Sequence, residues 1–308
     1  MKVRPPTTEN ANPVHVIGAS SRSGMALCRS LLADGIPVMA IVRDEHRWRD
    51  AALPCQFRIA DLADPATLGL ALGDADRVVS CAHARHIPRV LEAAATAKRF
   101  VFLGSTRKFT RWPDDHGRGV LAGESRFLAS GRDGVILHPT MIYGATGEGN
   151  VRRLASLLRL LRIVPLPNGG RALVQPIYQD DVTRAVRAAL DIAWDGPHTI
   201  VIAGPGPVPY AAFVRAVATA ARIKGVRTVG VPLAPLMASA WLGGLIPFFP
   251  KVRPAELRRL CEDKAFEIGE MQQVLHVCPL DLEAGLARTF ANSAGIAPGH
   301  RQPAGQPQ

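Results

Sequence analysis

Gly18 and Gly24 bracket the run Ala19, Ser20, Ser21, Arg22 and Ser23, a short Gly/Ser loop of the type that holds phosphate. Gly18 supplies the tight turn, Gly24 lets a following helix pack close to a sheet, and the backbone N–H groups of Ser20 to Ser23 face a pyrophosphate at the helix N-terminus. Ser21 takes the middle glycine position, which crowds the loop but adds a hydroxyl donor. As a bare pattern this is weak. Residues 15–44 strengthen it, because they read as apolar strand, turn, amphipathic helix and second apolar strand, the context a dinucleotide-binding βαβ unit requires. At the end of that second strand an acid would hold a ribose 2′-OH and an arginine a 2′-phosphate. The chain has Arg43 there, and Arg22 in the loop is a second cation expected to reach the same phosphate. Two cations at that corner favour NADP over NAD. Asp44 should point the other way by strand alternation.

The positioning elements follow from the pattern of the chain. A third short strand ends in Asp61 and Leu62, with a helix capped near Asp64; further strands are expected over 76–84, 99–105 and 134–144, each preceded by a helical segment. Strands alternating with helices give an α/β fold, a doubly wound parallel Rossmann sheet. Ligands bind such sheets at the carboxyl ends of the strands, so Gly18, Arg43, Asp61, Cys81, Ser105 and Pro139 should lie along one crevice.

Other constellations carry less. Cys81, His83 and His86 are ligand types at plausible spacing, but no further pair of ligands completes a site, and no metal is assigned. Asp180 and Asp181 open a helical stretch, where carboxylates cap free N–H groups and complement the helix dipole. No GxSxG nucleophile elbow is present.

The segments GASSRSG, IVRD, ADL, FVFLGST, LASGRDGVILHPTMIYG and VQPIYQDDVTRAVRAAL together resemble the extended and atypical short-chain dehydrogenase/reductases, the NAD-dependent epimerase/dehydratase group and its NmrA-like relatives. The resemblance runs over residues 13–204 and more loosely to about residue 290. It implies a dinucleotide-binding Rossmann domain over 13–145, to which 174–204 returns, and a small C-terminal substrate domain from 146–173 and 205–291, between tails 1–12 and 292–308. It also implies Asp61 and Leu62 near the adenine, Cys81 and Ala82 beneath the cofactor, Pro139 to Ile142 near the nicotinamide, and Ser105 at the catalytic serine position.

The family's chemistry needs a Tyr and, four residues on, a Lys that lowers the phenol's pKa. Aligned through LASG and Glu124, those positions hold His116 and Val120, and the three tyrosines of the chain, Tyr143, Tyr178 and Tyr210, lie elsewhere. His138 stands where an arginine often precedes the proline of the sixth strand. Three readings stay open. His116, with Asp114 or Asp115 to orient it, takes over the proton transfer; or substrate and water supply the proton; or the chain binds NADP without chemistry, as a sensor or an assembly factor. A histidine idle in an exposed turn is the bland alternative for His116, since RWPDD and HGRG carry turn residues.

Length and composition suit such a protein: 308 residues, 47% hydrophobic, enough for one large or two small domains. The five cysteines are scattered without CxxC spacing, which fits a reducing compartment, and residues 1–12 lack the apolar core of a secretory signal, so a cytoplasmic location is expected. The formal charge of +11 gathers at Arg152, Arg153, Arg159, Arg162 and Arg171, and again at Lys251, Arg253, Arg258 and Arg259. With aromatics at only 6% and none interleaved in those runs, a nucleic-acid partner is disfavoured, leaving a solvated face or a site for a small anionic substrate such as a nucleotide sugar. Residues 231–250 form the longest charge-free apolar run, but four prolines divide it. It reads as a helix lining a groove, with membrane-surface contact as the alternative.

Overall fold

The computed structural model describes residues 12–145, 149–161, 163–235, 237 and 258–291. Its centre is a parallel sheet whose strands are short and apolar because both faces are covered. β1 (Val14–Ile17), β2 (Val38–Val42) and β6 (Gly134–Pro139) are buried at every residue. β3 (Gln56–Ile59), an edge strand, has no fully buried residue. With β4 (Arg77–Ser80), β5 (Arg99–Leu103) and β11 (Pro197–Ile202), the order across the sheet is β3, β2, β1, β4, β5, β6, β11. Strand order reverses between β1 and β4, which opens the crevice at their carboxyl ends.

Helices α1 (Arg22–Ala33) and α7 (Gln179–Asp191) cover one face, burying Leu27, Leu31, Val182 and Val186 with the inward side chains of β1 and β2. Helices α3 (Pro65–Leu72), α4 (Ile87–Ala93) and α5 (Asp115–Ser130) cover the other, around Leu68, Val90, Phe100, Phe102 and Phe127. The short α2 (Glu45–Arg49) follows β2 and is capped by Asp44, which accepts from the Arg47 N–H at 3.1 Å. Asp64 caps α3 as expected, with Pro65 at the first helical position.

A third apolar cluster, including Tyr143, Leu158, Leu166, Phe213, Val217 and Leu286, lies apart from both layers. It is built by α6 (Asn150–Leu160), α8 (Tyr210–Ala220) and the last helix of the described chain, and by three strand pairs: β7 (Ile142–Tyr143) with β10 (Ile177–Tyr178), β8 (Ile163–Pro167) with β13 (Arg227–Val231), and β9 (Leu173–Val174) with β12 (Val208–Pro209). Two helices complete the described chain, α9 (Gly269–Val274) and α10 (Leu282–Ala291).

Two expectations change, and a third falls largely outside the described residues. The strand expected over 134–144 leaves the sheet after Pro139, because Thr140 turns the chain by donating to the Gln175 carbonyl and Ile142–Tyr143 pair with β10 instead. Asp180 and Asp181 lie in the first turn of α7, where they complement its dipole, but neither side chain caps it. Asp181 is 2% exposed, pairs with Arg184 and accepts from the Leu280 N–H at 2.8 Å, so it ties the C-terminal segment to the helix rather than closing its N-terminus. Of the run 231–250, residues 236 and 238–250 lie outside the described residues, and among the described residues no helix is long and apolar enough to cross a membrane.

Candidate functional site

The strand ends open into one cleft of about 1190 Å³, running from the phosphate loop past Cys81, Ser105 and Pro139 to a segment near the C-terminus. Behind its inner end Gly18 has φ +69°, which disfavours a side chain, and a Cβ there would stand a tight 3.3 Å from the Ala82 nitrogen, so the loops after β1 and β4 approach closely at this glycine. A Cβ on Gly24 would overlap the Gly18 carbonyl oxygen. Ser21 caps α1, accepting from the Gly24 N–H at 3.1 Å, and Ser21, Arg22, Ser23, Cys81 and Ala82 line the cleft. A glycine cradle at the N-terminus of a buried helix fits the diphosphate of a dinucleotide.

The two cations expected together at a 2′-phosphate separate. Arg43 is exposed directly after β2 and forms no ion pair among the described residues. Arg22 lies across the cleft instead, its guanidinium 3.5 Å from where a Cβ of Gly149 would stand, because α1 begins at Arg22 and turns its side chain toward the start of α6. Asp61 accepts from the Ala63 N–H at 2.8 Å and, with Leu62, sits in the turn after β3, outside the cleft lining. Ser20 is half-buried in the loop. Pro139 and Ile142 line the cleft beside Ser105.

Ser105 ends β5. Its Oγ accepts from the Arg107 N–H at 3.2 Å, capping a short 3-10 turn over Thr106–Phe109, which leaves the hydroxyl proton to donate into the cleft. Its N–H donates to His138 Nδ1 at 3.2 Å. Behind it lies a buried polar cluster: His138 Nε2 is 3.0 Å from Glu124, and Lys108 Nζ reaches Glu124 at 2.6 Å. A ring that accepts at Nδ1 and donates at Nε2 is neutral, and burial with the Lys108 charge pushes the His138 pKa down to about 3. None of this cluster was marked by spacing in the sequence.

His116 is on the first turn of α5, half-buried and lining the cleft with Val120, rather than in an exposed turn. Its expected orienting carboxylates are engaged elsewhere. Asp114 caps α5 through the Gly117 N–H at 2.8 Å and pairs with Arg107 and Arg259, while Asp115 pairs with Arg118 in solvent. The neighbour of His116 is His83, edge-on with ring centroids 4.3 Å apart. Gly119 makes room for it, since a Cβ there would come within 2.9 Å of the His83 ring. His83 Nδ1 accepts from the Arg85 N–H at 3.1 Å, and burial with the adjacent His116 pushes its pKa down to about 4. Burial and Arg107 lower the pKa of His116 as well.

The outer wall is residues 258–266. Glu262 accepts from Thr110 Oγ1 at 2.7 Å and the Arg111 N–H at 2.6 Å, Arg259 meets Asp114 at 3.1 Å, and Arg258 stacks on Trp112 at 4.8 Å. On its other side Phe266 N–H donates to Gln175 Oε1 at 2.8 Å. The sequence marked Arg258 and Arg259 as basic but not as a wall. Of the other basic residues noted there, Arg152, Arg153 and Arg159 form the exposed side of α6, Arg171 is exposed, and Arg162, Lys251 and Arg253 lie outside the described residues.

A family model described as NAD(P)H-binding matches residues 18–133. Comparison with curated proteins gave no match. Among solved structures the chain is similar to MoeE5 in complex with UDP-glucose and NAD, at 19% identity and TM-score 0.69, over 92% of this chain and 99% of that one. It is similar to the UDP-glucuronic acid 4-epimerase of Bacillus cereus with UDP-glucuronic acid and NAD, at 17% identity and TM-score 0.69, over 91% and 98%. It is also similar to the NADPH-dependent quinone oxidoreductase QOR2 of Escherichia coli with NADPH, at 16% identity and TM-score 0.69, over 90% and 99%. The chain therefore shares the Rossmann fold of these structures, and its residues 18–133 match an NAD(P)H-binding model.

Proposed function

We propose that the protein is an NADP(H)-dependent oxidoreductase of a small anionic substrate, nucleotide sugars being one such class, with Ser105 and His116 at the reacting end. The observation that carries this reading is one cleft lined at its inner end by the phosphate loop and, further along, by a serine hydroxyl and an imidazole. The nicotinamide, when bound, supplies or accepts hydride. Ser105 donates to the substrate oxygen and orients it. His116, kept neutral by burial, takes the hydroxyl proton in the oxidative direction, and its imidazolium returns it in the reductive one. Arg43 supports NADP(H) by facing solvent where a 2′-phosphate would lie.

A specific observation favours a second reading. Val120 lines the cleft at the position where the resemblance places a lysine, so the usual means of acidifying a proton donor is missing. A non-catalytic NADP(H)-binding regulator or assembly factor would tolerate this. The readings separate when NADPH oxidation is followed against quinones, aldehydes and nucleotide sugars, with Ser105→Ala and His116→Ala alongside. The catalytic reading expects turnover that falls about 10²- to 10⁴-fold in His116→Ala with NADPH affinity kept. No turnover on any substrate supports the regulator. Robust turnover indifferent to both substitutions removes these residues from the mechanism.

A further inference from the structure

The outer chamber is charged and aromatic at once. Arg107, Arg111, Arg258, Arg259 and Lys264 line it against only two lining carboxylates, Glu262 and Asp263. Those carboxylates are engaged: both Glu262 oxygens hold Thr110 and Arg111, and Asp263 accepts from the Leu173 N–H at 2.8 Å. Asp114 behind the wall is shared by two arginines. Arg107 pairs with Asp114 through one terminal nitrogen, yet its side chain stays 37% exposed and so presents charge to the chamber.

Between these cations stand aromatic rings that folding leaves partly exposed, Trp112 with Arg258 over one face and Phe109 with Lys108 over one face. Phe109 is 53% exposed and Trp112 42%, and Phe266 lies 5.6 Å from Phe109, all lining the chamber. Large aromatics left together on a concave wall mark a contact surface. A sugar body would be poorly served here. Thr106, Thr110 and Thr140 donate their hydroxyl protons to Pro139 O, Glu262 and Gln175 O, so these three have no proton left to donate to the oxygens of a sugar.

We propose that the outer chamber binds an anion with a flat apolar body, its charge held by Arg107 and Arg258 and its body laid on Phe109 and Phe266. This rests on the reading of the cleft as a cofactor and substrate site, and it narrows the substrate to aromatic or similarly planar apolar acids.

Calorimetry on the full chain tests it, with 2-naphthoate, the neutral 2-naphthamide and UDP-glucose titrated in the presence and absence of NADPH. The expected result is naphthoate binding that is at least about tenfold tighter than that of naphthamide, the range of a charge-assisted hydrogen bond, and tighter than that of UDP-glucose. Arg258→Met and Phe109→Ser, both at exposed or half-exposed positions, should each weaken naphthoate by a similar factor and leave NADPH affinity unchanged. Equal binding of naphthoate and naphthamide, no naphthoate binding, or tighter UDP-glucose binding overturns the inference. Failure of NADPH alone to bind overturns the cofactor reading, and the naphthoate titration without NADPH still decides this one.

Discussion

Acid should destabilise the fold through His138. Its side chain is 1% exposed, Nδ1 accepts from the Ser105 N–H, and Nε2 faces Glu124. A second ring proton would meet the Ser105 N–H and add positive charge beside Lys108, so the folded-state pKa lies near 3, below the 6.5 of a free histidine. Between those values the unfolded chain binds more protons than the folded one. Stability from this group is therefore complete above about pH 6.5 and is lost as pH falls toward about 3. At about 1.4 kcal/mol per pH unit, the loss near pH 4.5 is about 2 to 3 kcal/mol. His83, pushed down to about 4, acts in the same direction. The assay is urea unfolding at about pH 7 and 4.5 for the wild type and His138→Gln, whose amide can accept from Ser105 and donate to Glu124 without titrating. The wild type should lose about 2 to 3 kcal/mol more than the variant on acidification. Equal losses would show that protonation of His138 is not resisted by its surroundings, and the reasoning would fail.

Two further outcomes concern the cofactor. Gly18→Val forces a β-branched residue to φ +69° with its Cβ 3.3 Å from Ala82 N, a strain of about 1 to 2 kcal/mol, and should abolish NADPH binding by calorimetry. A variant that melts normally and binds normally places the phosphate loop elsewhere. Arg43→Ala should weaken NADPH by about 1.5 to 3 kcal/mol and leave NADH unchanged, whereas Arg22→Ala, on the other side of the cleft, should alter both cofactors alike. Equal losses for NADPH and NADH in Arg43→Ala remove the basis for NADP.

The sheet was legible because its signals are local and repeated. Strands such as VMAIV are apolar on both faces, as a covered parallel sheet requires, and the cap at Asp64 lies next to the residues it serves, whereas Ser21, expected as a hydroxyl donor in the loop, caps α1 as an acceptor. Where side chains meet across long separations the sequence carries no such signal. Glu262 meets Thr110 across 152 positions and Leu280 meets Asp181 across 99, so neither the outer wall nor the true role of Asp181 could be read from spacing. Arg22 illustrates a different limit. Its place in the loop was fixed by pattern, but its direction is set by the helical phase of α1, which carries it to Gly149 and away from Arg43.

The substitution at 120 has a counterpart that only the packing reveals. Val120 lines the cleft on α5, while the lysine nearest Ser105, Lys108, lies behind it, bound to Glu124 one turn further along the same helix. Positive charge is thus kept near the serine but removed from contact with the cleft, where Lys108 side-chain exposure is only 9%. A cation so paired rigidifies Ser105 through His138 and cannot shift the pKa of a proton donor as a lysine in the cleft would. The acid-base character of the cleft then falls to the edge-on imidazoles of His83 and His116, which cannot both be charged at 4.3 Å without strong repulsion. The His116 charge is among the causes that hold His83 down at about 4, so His116 takes a proton before His83 does, and it is burial and Arg107, not the neutral His83 ring, that lower the pKa of His116.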